Sequence, residues 1–278
     1  MPLPSVVMFD LDDTLVDHST ALRAGAYALA NAAHVDTDPD EFAARWKAIH
    51  AEKYPRYLRG ELGYEDMCRE RIWEAINTSL SPEAADSLFV TYMNAYQATW
   101  RLFGDVLSCF VALSTYRLGV ICNGRSAEQR KKLKVLGIEP RFEHVALSEE
   151  TGVAKPDPKI FLGACAAMRV APESAVFVGD SRELDYLAAR AVGVCRRFGW
   201  IVPHRPRPRT LRCGCHRLTN CPVFLRSRGI TCCCSGRAEA PCTVPNQPSV
   251  RARRSVVQFN LRLFLAFLLD EPLSPSAV

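Results

Sequence analysis

The chain has no apolar run long enough to cross a bilayer. Its longest, "LRLFLAFLL" from Leu261, falls well short of the ~20 residues that a spanning helix needs. No secretory leader is expected either, because "MPLPSVVMFD" carries neither a basic segment nor an extended apolar one. These absences set the expectation of a cytoplasmic protein with no membrane partner, in which a framework of structural disulfides is out of place. Twelve cysteines are present, yet no pair of C-x2-C knuckles, the usual spacing of a structural zinc site. Lysine is scarce, with seven residues in 278.

What is present divides the chain in two. Apolar residues make up 48% and charged residues 23%, as in ordinary globular proteins, and the length suffices for one large domain or two modest ones. The net charge of +5 averages two unlike parts. Residues 201–278 hold twelve Arg, no Lys and three acidic residues, a surplus of nine positive charges that leaves a net −4 on the first 200. That first part has no basic footprint, so no nucleic-acid partner is expected. Eight of the twelve cysteines fall at or after Cys195.

After an opening strand, "VVMF", the pattern from 17 to 100 is helical throughout. "STALRAGAYALANAAHV", "DPDEFAARWKAIHAEKYPRYL", "YEDMCRERIWEAI" and "SPEAADSLFVTYMNAYQATW" predict four helices, the second capped by Asp38 or Asp40 and the fourth started by Ser81-Pro82-Glu83. Short connections make them a small antiparallel bundle. From about 104, strands and helices alternate. "RLGVICNG", "FEHVALSEE" and "SAVFVGDS" read as strands, while "SAEQRKKLKVLG", "PKIFLGACAAMRV" and "RELDYLAARAVG" read as helices. The expectation is an α/β fold. It has a Rossmann-like parallel-sheet core (1–16 and 101–200), an inserted helical-bundle cap (17–100) and an irregular tail (201–278).

In such sheets ligands bind beyond the carboxyl ends of the strands, and those ends read "DLDD", "CNG", "SEE" and "GDS". Clustered carboxylates repel and are costly to desolvate, so Asp10, Asp12 and Asp13 behind an apolar strand call for a cation. Asp10 and Asp12 start on the same side of the chain. One can serve as nucleophile or metal ligand while the other handles a proton, unless the cluster merely caps a turn. Asn123-Gly124 opens a strand-to-helix turn that can seat phosphate oxygens or be an ordinary turn. Lys155 in "GVAKPDPKIF" can neutralise a phosphoryl group or be a solvated surface lysine. Asp180 can complete the oxygen ligands of a hard cation such as Mg²⁺, and Asp185 is either a supporting carboxylate or a first-turn helix acid.

Together, "DLDDTL", "ICNG", "GVAKPDPKIF" and "VGDSRELD" resemble, in order and spacing, the four motifs of the haloacid dehalogenase-like phosphohydrolases over residues 5 to about 194. The resemblance implies a Rossmann-like core with a helical cap and a Mg²⁺-dependent phosphomonoesterase acting on a small phosphorylated metabolite, a nucleoside monophosphate or a sugar phosphate. It implies that Asp10 forms an aspartyl-phosphate and that Asp12 is the acid and base. Asp10, Asp180 and the Asp12 carbonyl would ligate the metal, with Asp185 in support. Lys155, Cys122 and the amides around Asn123 would hold the phosphoryl oxygens. Asp12 favours phosphate esters, because dehalogenase members lack this second acid. A phosphomutase or a catalytically weak scaffold shares the motifs.

Two departures stand out. Cys122 occupies the place of a Ser or Thr hydroxyl, and a thiol is a weaker donor. Beyond Cys195, where a last core strand and helix are expected, the chain turns rich in Arg, Pro and Cys, as a change of reading frame near Cys195 would make it. A lineage-specific or disordered tail is the other reading, with "CRRFGWIV" able to pair as an edge strand. A zinc site from Cys213, Cys215, His216, Cys221 and Cys232 to Cys234 is the sharper alternative.

Overall fold

Val6–Phe9 (β1) is apolar at every position and wholly buried, the composition of a strand covered on both faces. It pairs in parallel with Arg117–Cys122 (β2) on one side and Ala175–Gly179 (β4) on the other, and His144–Leu147 (β3) flanks β2. Trp200–Ile201 (β5) adds to β4, giving a five-stranded sheet in the order β3-β2-β1-β4-β5. The computed structural model describes residues 4–194 and three short strands: β5, Phe224–Arg226 (β6) and Gly229–Thr231 (β7). β6 and β7 form an antiparallel pair within a separate compact unit, Arg205–Val257. The proposed zinc ligands, the Leu261 apolar run and the frame change near Cys195 lie outside the described residues.

Four helices intervene between β1 and β2: His18–Ala32 (α1), Pro39–Leu58 (α2), Tyr64–Ile76 (α3) and Pro82–Ala98 (α4). Side-chain caps begin three of them. Asp17 accepts from the Thr20 amide, Asp38 from those of Asp40 and Glu41, and Ser81 from that of Ala84. The bundle has its own core around Leu29, Phe42, Trp46, Ile72 and Tyr96. Each large side chain withdrawn from water there contributes ~1.5–3 kcal/mol. α1 and α4 touch at Gly25, where a Cβ would lie 2.7 Å from the Tyr92 ring. A second core, built on β1, β2 and β4, buries Val7, Ile121, Phe161 and Phe177.

The remaining helices are Val106–Ala112 (α5), Ser126–Val135 (α6), Ser148–Thr151 (α7), Pro158–Ala167 (α8) and Ala188–Ala191 (α9). One reading needs correction and one needs refinement. "FEHVALSEE" is strand only to Leu147, because the chain turns into α7 and sends its polar side chains to the neighbouring loop. "RELDYLAARAVG" is a π-helical turn, Arg182–Leu187, followed by the short α9. The wider turn accompanies a buried Asp185 rather than an exposed first-turn acid. Among the described residues, no helix is long and apolar enough to cross a membrane.

Candidate active site

Register brings the acids together. Phe9 aligns with Val120 and with Val178, so Asp10 follows β1 beside Gly179 and its amide donates to the Val178 carbonyl at 2.8 Å. Asp180 leaves β4 one residue later. The loop after β3 returns Lys155 beneath both, where its Nζ donates to Asp10 and to Asp185 at 2.6 Å each. Asp185 also accepts from the Ser181 amide at 2.9 Å, and the Thr14 hydroxyl donates to the second oxygen of Asp10 at 3.2 Å. Gly179 permits the approach, since a Cβ there would run into the Asp185 carboxylate.

Asp10, Lys155 and Asp185 are buried, and their charges act closely on one another. Burial raises Asp10 most, Lys155 opposes it, and Asp185 and Asp180 lift it further, to about 7. Asp180 rises to about 6 through burial and the nearby Asp185 and Asp13 carboxylates. Burial would lower Lys155, but Asp10 and Asp185 hold it well above its ordinary value. Three carboxylates thus share one ammonium. Asp10, Asp180 and Asp185 each bring an oxygen within 4.8 Å of the others, an all-oxygen donor set that suits a hard divalent cation.

Asp12 faces away from this cluster. Lys132 Nζ donates to it at 2.6 Å and Gln129 at 2.8 Å, and His18 Nδ1 lies 3.7 Å away. Burial would raise its pKa. Lys132 and His18, with the Lys132 and Gln129 hydrogen bonds, outweigh that and hold it well below the usual carboxylate range.

The expected phosphate seat is tied to its surroundings by hydrogen bonds within the protein. The Asn123 side chain clamps the Lys155 backbone, donating to its carbonyl at 2.9 Å and accepting from its amide at 2.8 Å. The Gly124 amide is committed to the Ser148 hydroxyl at 3.0 Å, and the Ser126 amide to Glu149 at 2.7 Å. The buried Cys122 thiol bonds to the Asn123 carbonyl at 3.2 Å. Burial, then Asp10 and Asp12, push that thiol well above its ordinary pKa.

The family model for haloacid dehalogenase-like hydrolases matches residues 4–193. The chain belongs to the haloacid dehalogenase-like (HAD) hydrolases. It is 30% identical to a glyceraldehyde 3-phosphate phosphatase of Methanopyrus kandleri over 68% of this chain and 80% of that one. It is 31% identical to a phosphoserine phosphatase of Thermus thermophilus over 70% and 88%. Among solved structures, the magnesium-bound HAD-hydrolase YfnB of Bacillus subtilis superposes with a TM-score of 0.59 at 20% identity, covering 69% of this chain and 87% of the other.

In this HAD hydrolase a cavity of about 240 Å³ opens between the strand ends and the bundle. Asp12, Asn123, Gly124 and Gln129 wall it on the sheet side, while His18, His50, Tyr54 and Arg71 wall it from the helices. Lys132, Gln129, His18 and Thr14 are contacts that the sequence reading missed. "SAEQRKKLKV" offers three lysines with nothing local to single out the one that turns inward.

Proposed function

We propose that this HAD-type phosphatase hydrolyses phosphate monoesters of small metabolites through an aspartyl-phosphate on Asp10. The reading is carried by the Asp10 carboxylate, which lies 2.6 Å from Lys155 Nζ at the strand ends and groups with Asp180 and Asp185. An Asp10 oxygen attacks phosphorus as the ester P–O bond breaks, and the leaving alkoxide takes a proton from Asp12. Water then gives its proton to Asp12 and attacks phosphorus, and the bond to Asp10 breaks. Lys155 neutralises the phosphoryl oxygens, with Cys122 and the Asn123 turn beside them. Asp10, Asp180 and Asp185 would hold Mg²⁺, which supplies charge neutralisation when bound.

Lys132 and Gln129 keep Asp12 ionised in this conformation, the state of a base that serves the second step. Its acid role needs the Lys132 contact relaxed. The relatives' substrates, glyceraldehyde 3-phosphate and phosphoserine, support a small sugar phosphate or similar ester over a nucleoside monophosphate. A catalytically weak scaffold is the second reading, favoured by the internally bonded Cys122 thiol. Phosphate release from a panel of small esters separates the two. Mg²⁺-dependent turnover that Asp10→Asn abolishes supports the enzyme. No turnover by folded protein overturns it.

A further inference from the structure

Arg71 on α3 is buried, with 5% of its surface exposed, and it lines the cavity. Among the described residues no carboxylate pairs with it. Its guanidinium carbon stacks 4.0 Å from the centre of the Trp46 ring, with Phe89 and Tyr92 about it at 6.0 and 5.9 Å. Its Nε has no hydrogen-bond partner among the described residues. His50 lines the same cavity from α2, one turn after Trp46, and its Nδ1 is buried and unpartnered as well. The other buried cations of the bundle and the site are differently placed: Lys53 is held by Glu70 and Glu74, Lys132 by Asp12, and Lys155 by Asp10 and Asp185. An uncompensated buried charge is costly, and aromatic faces offset only part of that cost. The acids that line the cavity are already engaged, Asp12 with Lys132 and Glu128 with the Tyr96 hydroxyl at 2.9 Å.

We propose that Arg71, with His50, forms a carboxylate-binding subsite in this cavity, so that the preferred substrate is a phosphate monoester whose alcohol part carries a carboxylate. One guanidinium matches the single charge of a carboxylate, and its planar fork meets the two oxygens with parallel N–H donors. The aromatic walls shut out water, which strengthens that pair and rejects a neutral group at the same place. The substrate then spans the cavity, with its phosphate toward the strand ends and its carboxylate toward α2 and α3. This inference rests on the phosphatase reading for the phosphate end only.

Two size-matched esters test it, 3-phosphoglycerate and glycerol 3-phosphate, which differ by a carboxylate in place of a hydroxymethyl group. The expected result is a kcat/KM at least about tenfold higher for 3-phosphoglycerate, expressed mainly in KM, because a buried site built for a polar group discriminates strongly against its absence. Arg71→Gln should bring the ratio close to one, and Arg71→Lys, which keeps the charge without the fork, should give an intermediate ratio. A merely structural role lowers both rates in parallel and leaves the ratio intact. That outcome, or a wild-type ratio of one or below, overturns the proposal while the phosphatase reading stands. Binding supplies a readout free of turnover. Glycerate should perturb Trp46 fluorescence in the wild type but not in Arg71→Gln, and glycerol should not. If neither ester turns over, the wider ester panel decides the phosphatase reading and the glycerate titration still decides the subsite.

Discussion

Lys132, on α6 with none of its surface exposed, donates to Asp12 at 2.6 Å from 120 residues further along the chain. The pair explains two things at once. A lysine can be sealed inside this protein because a carboxylate neutralises it, and Asp12 stays charged because that lysine cannot be solvated elsewhere. Removing either partner leaves the other charge stranded.

Lys132→Met should therefore cost about 3 kcal/mol of stability, the low end for a broken buried pair because Asp12 also borders the cavity. Urea unfolding measures this. The same variant should lose phosphatase activity by more than its folded fraction accounts for, because Asp12 is no longer held in place.

Gly179→Ala places a methyl group against the Asp185 carboxylate, which the Ser181 amide and Lys155 hold from other directions. Overpacking of this kind costs about 1–3 kcal/mol. A lowered melting temperature together with weakened turnover is expected. Unchanged activity would show that the position of Asp185 does not matter to the chemistry.

Divalent cation binding can be read without catalysis. Asp10 and Asp180 are raised to about 7 and about 6 by burial and by neighbouring carboxylates, Asp185 foremost among them, so a cation among them relieves repulsion in the folded state alone. Mg²⁺ should raise the melting temperature in proportion to the logarithm of its concentration, and chelation should reverse the gain. Asp180→Asn should shift the response to at least about tenfold higher Mg²⁺, the usual scale for perturbing a metal site.

Cys122→Thr restores a hydroxyl where the thiol now bonds the Asn123 carbonyl. If that hydroxyl reaches the phosphate, kcat/KM should rise by about tenfold or more, the worth of one hydrogen bond to a charged group. A fall in rate would refute the weakened-donor explanation.

His50 predicts an acid sensitivity. Burial, then Arg71 and His18, bring its pKa from 6.5 down to about 3. The unfolded chain consequently binds a proton between those values that the folded one refuses. Stability is complete above pH 6.5 and falls by up to about 1.4 kcal/mol per pH unit below it, until about pH 3. His50→Asn should flatten this part of the profile relative to wild type in urea titrations at pH 7.5 and 5.5.

The α/β alternation, the caps at Asp38 and Ser81, and the acids behind β1 and β4 were legible because each is a local signal. An apolar run makes a strand, and a charged residue directly behind it lies at the strand's end. The third strand end was less legible. "SEE" reads as polar termination, yet Ser148 and Glu149 satisfy the amides of Gly124 and Ser126. Asn123 was read through its turn, and nothing local foretold that its side chain fastens the Lys155 loop. Hydrogen-bond partners of this kind depend on which loops meet, and no spacing within one segment records that.

By itself, the amino-acid order determined which strands and helices form and which residues stand at the strand ends, since propensity, capping and hydrophobic period act over a few neighbours. The tertiary structure alone decided which of Lys131, Lys132 and Lys134 turns inward, and it alone left Arg71 buried without a carboxylate among the described residues. Charges pair through space at a few ångströms, and only the packing of elements far apart in the chain sets those distances.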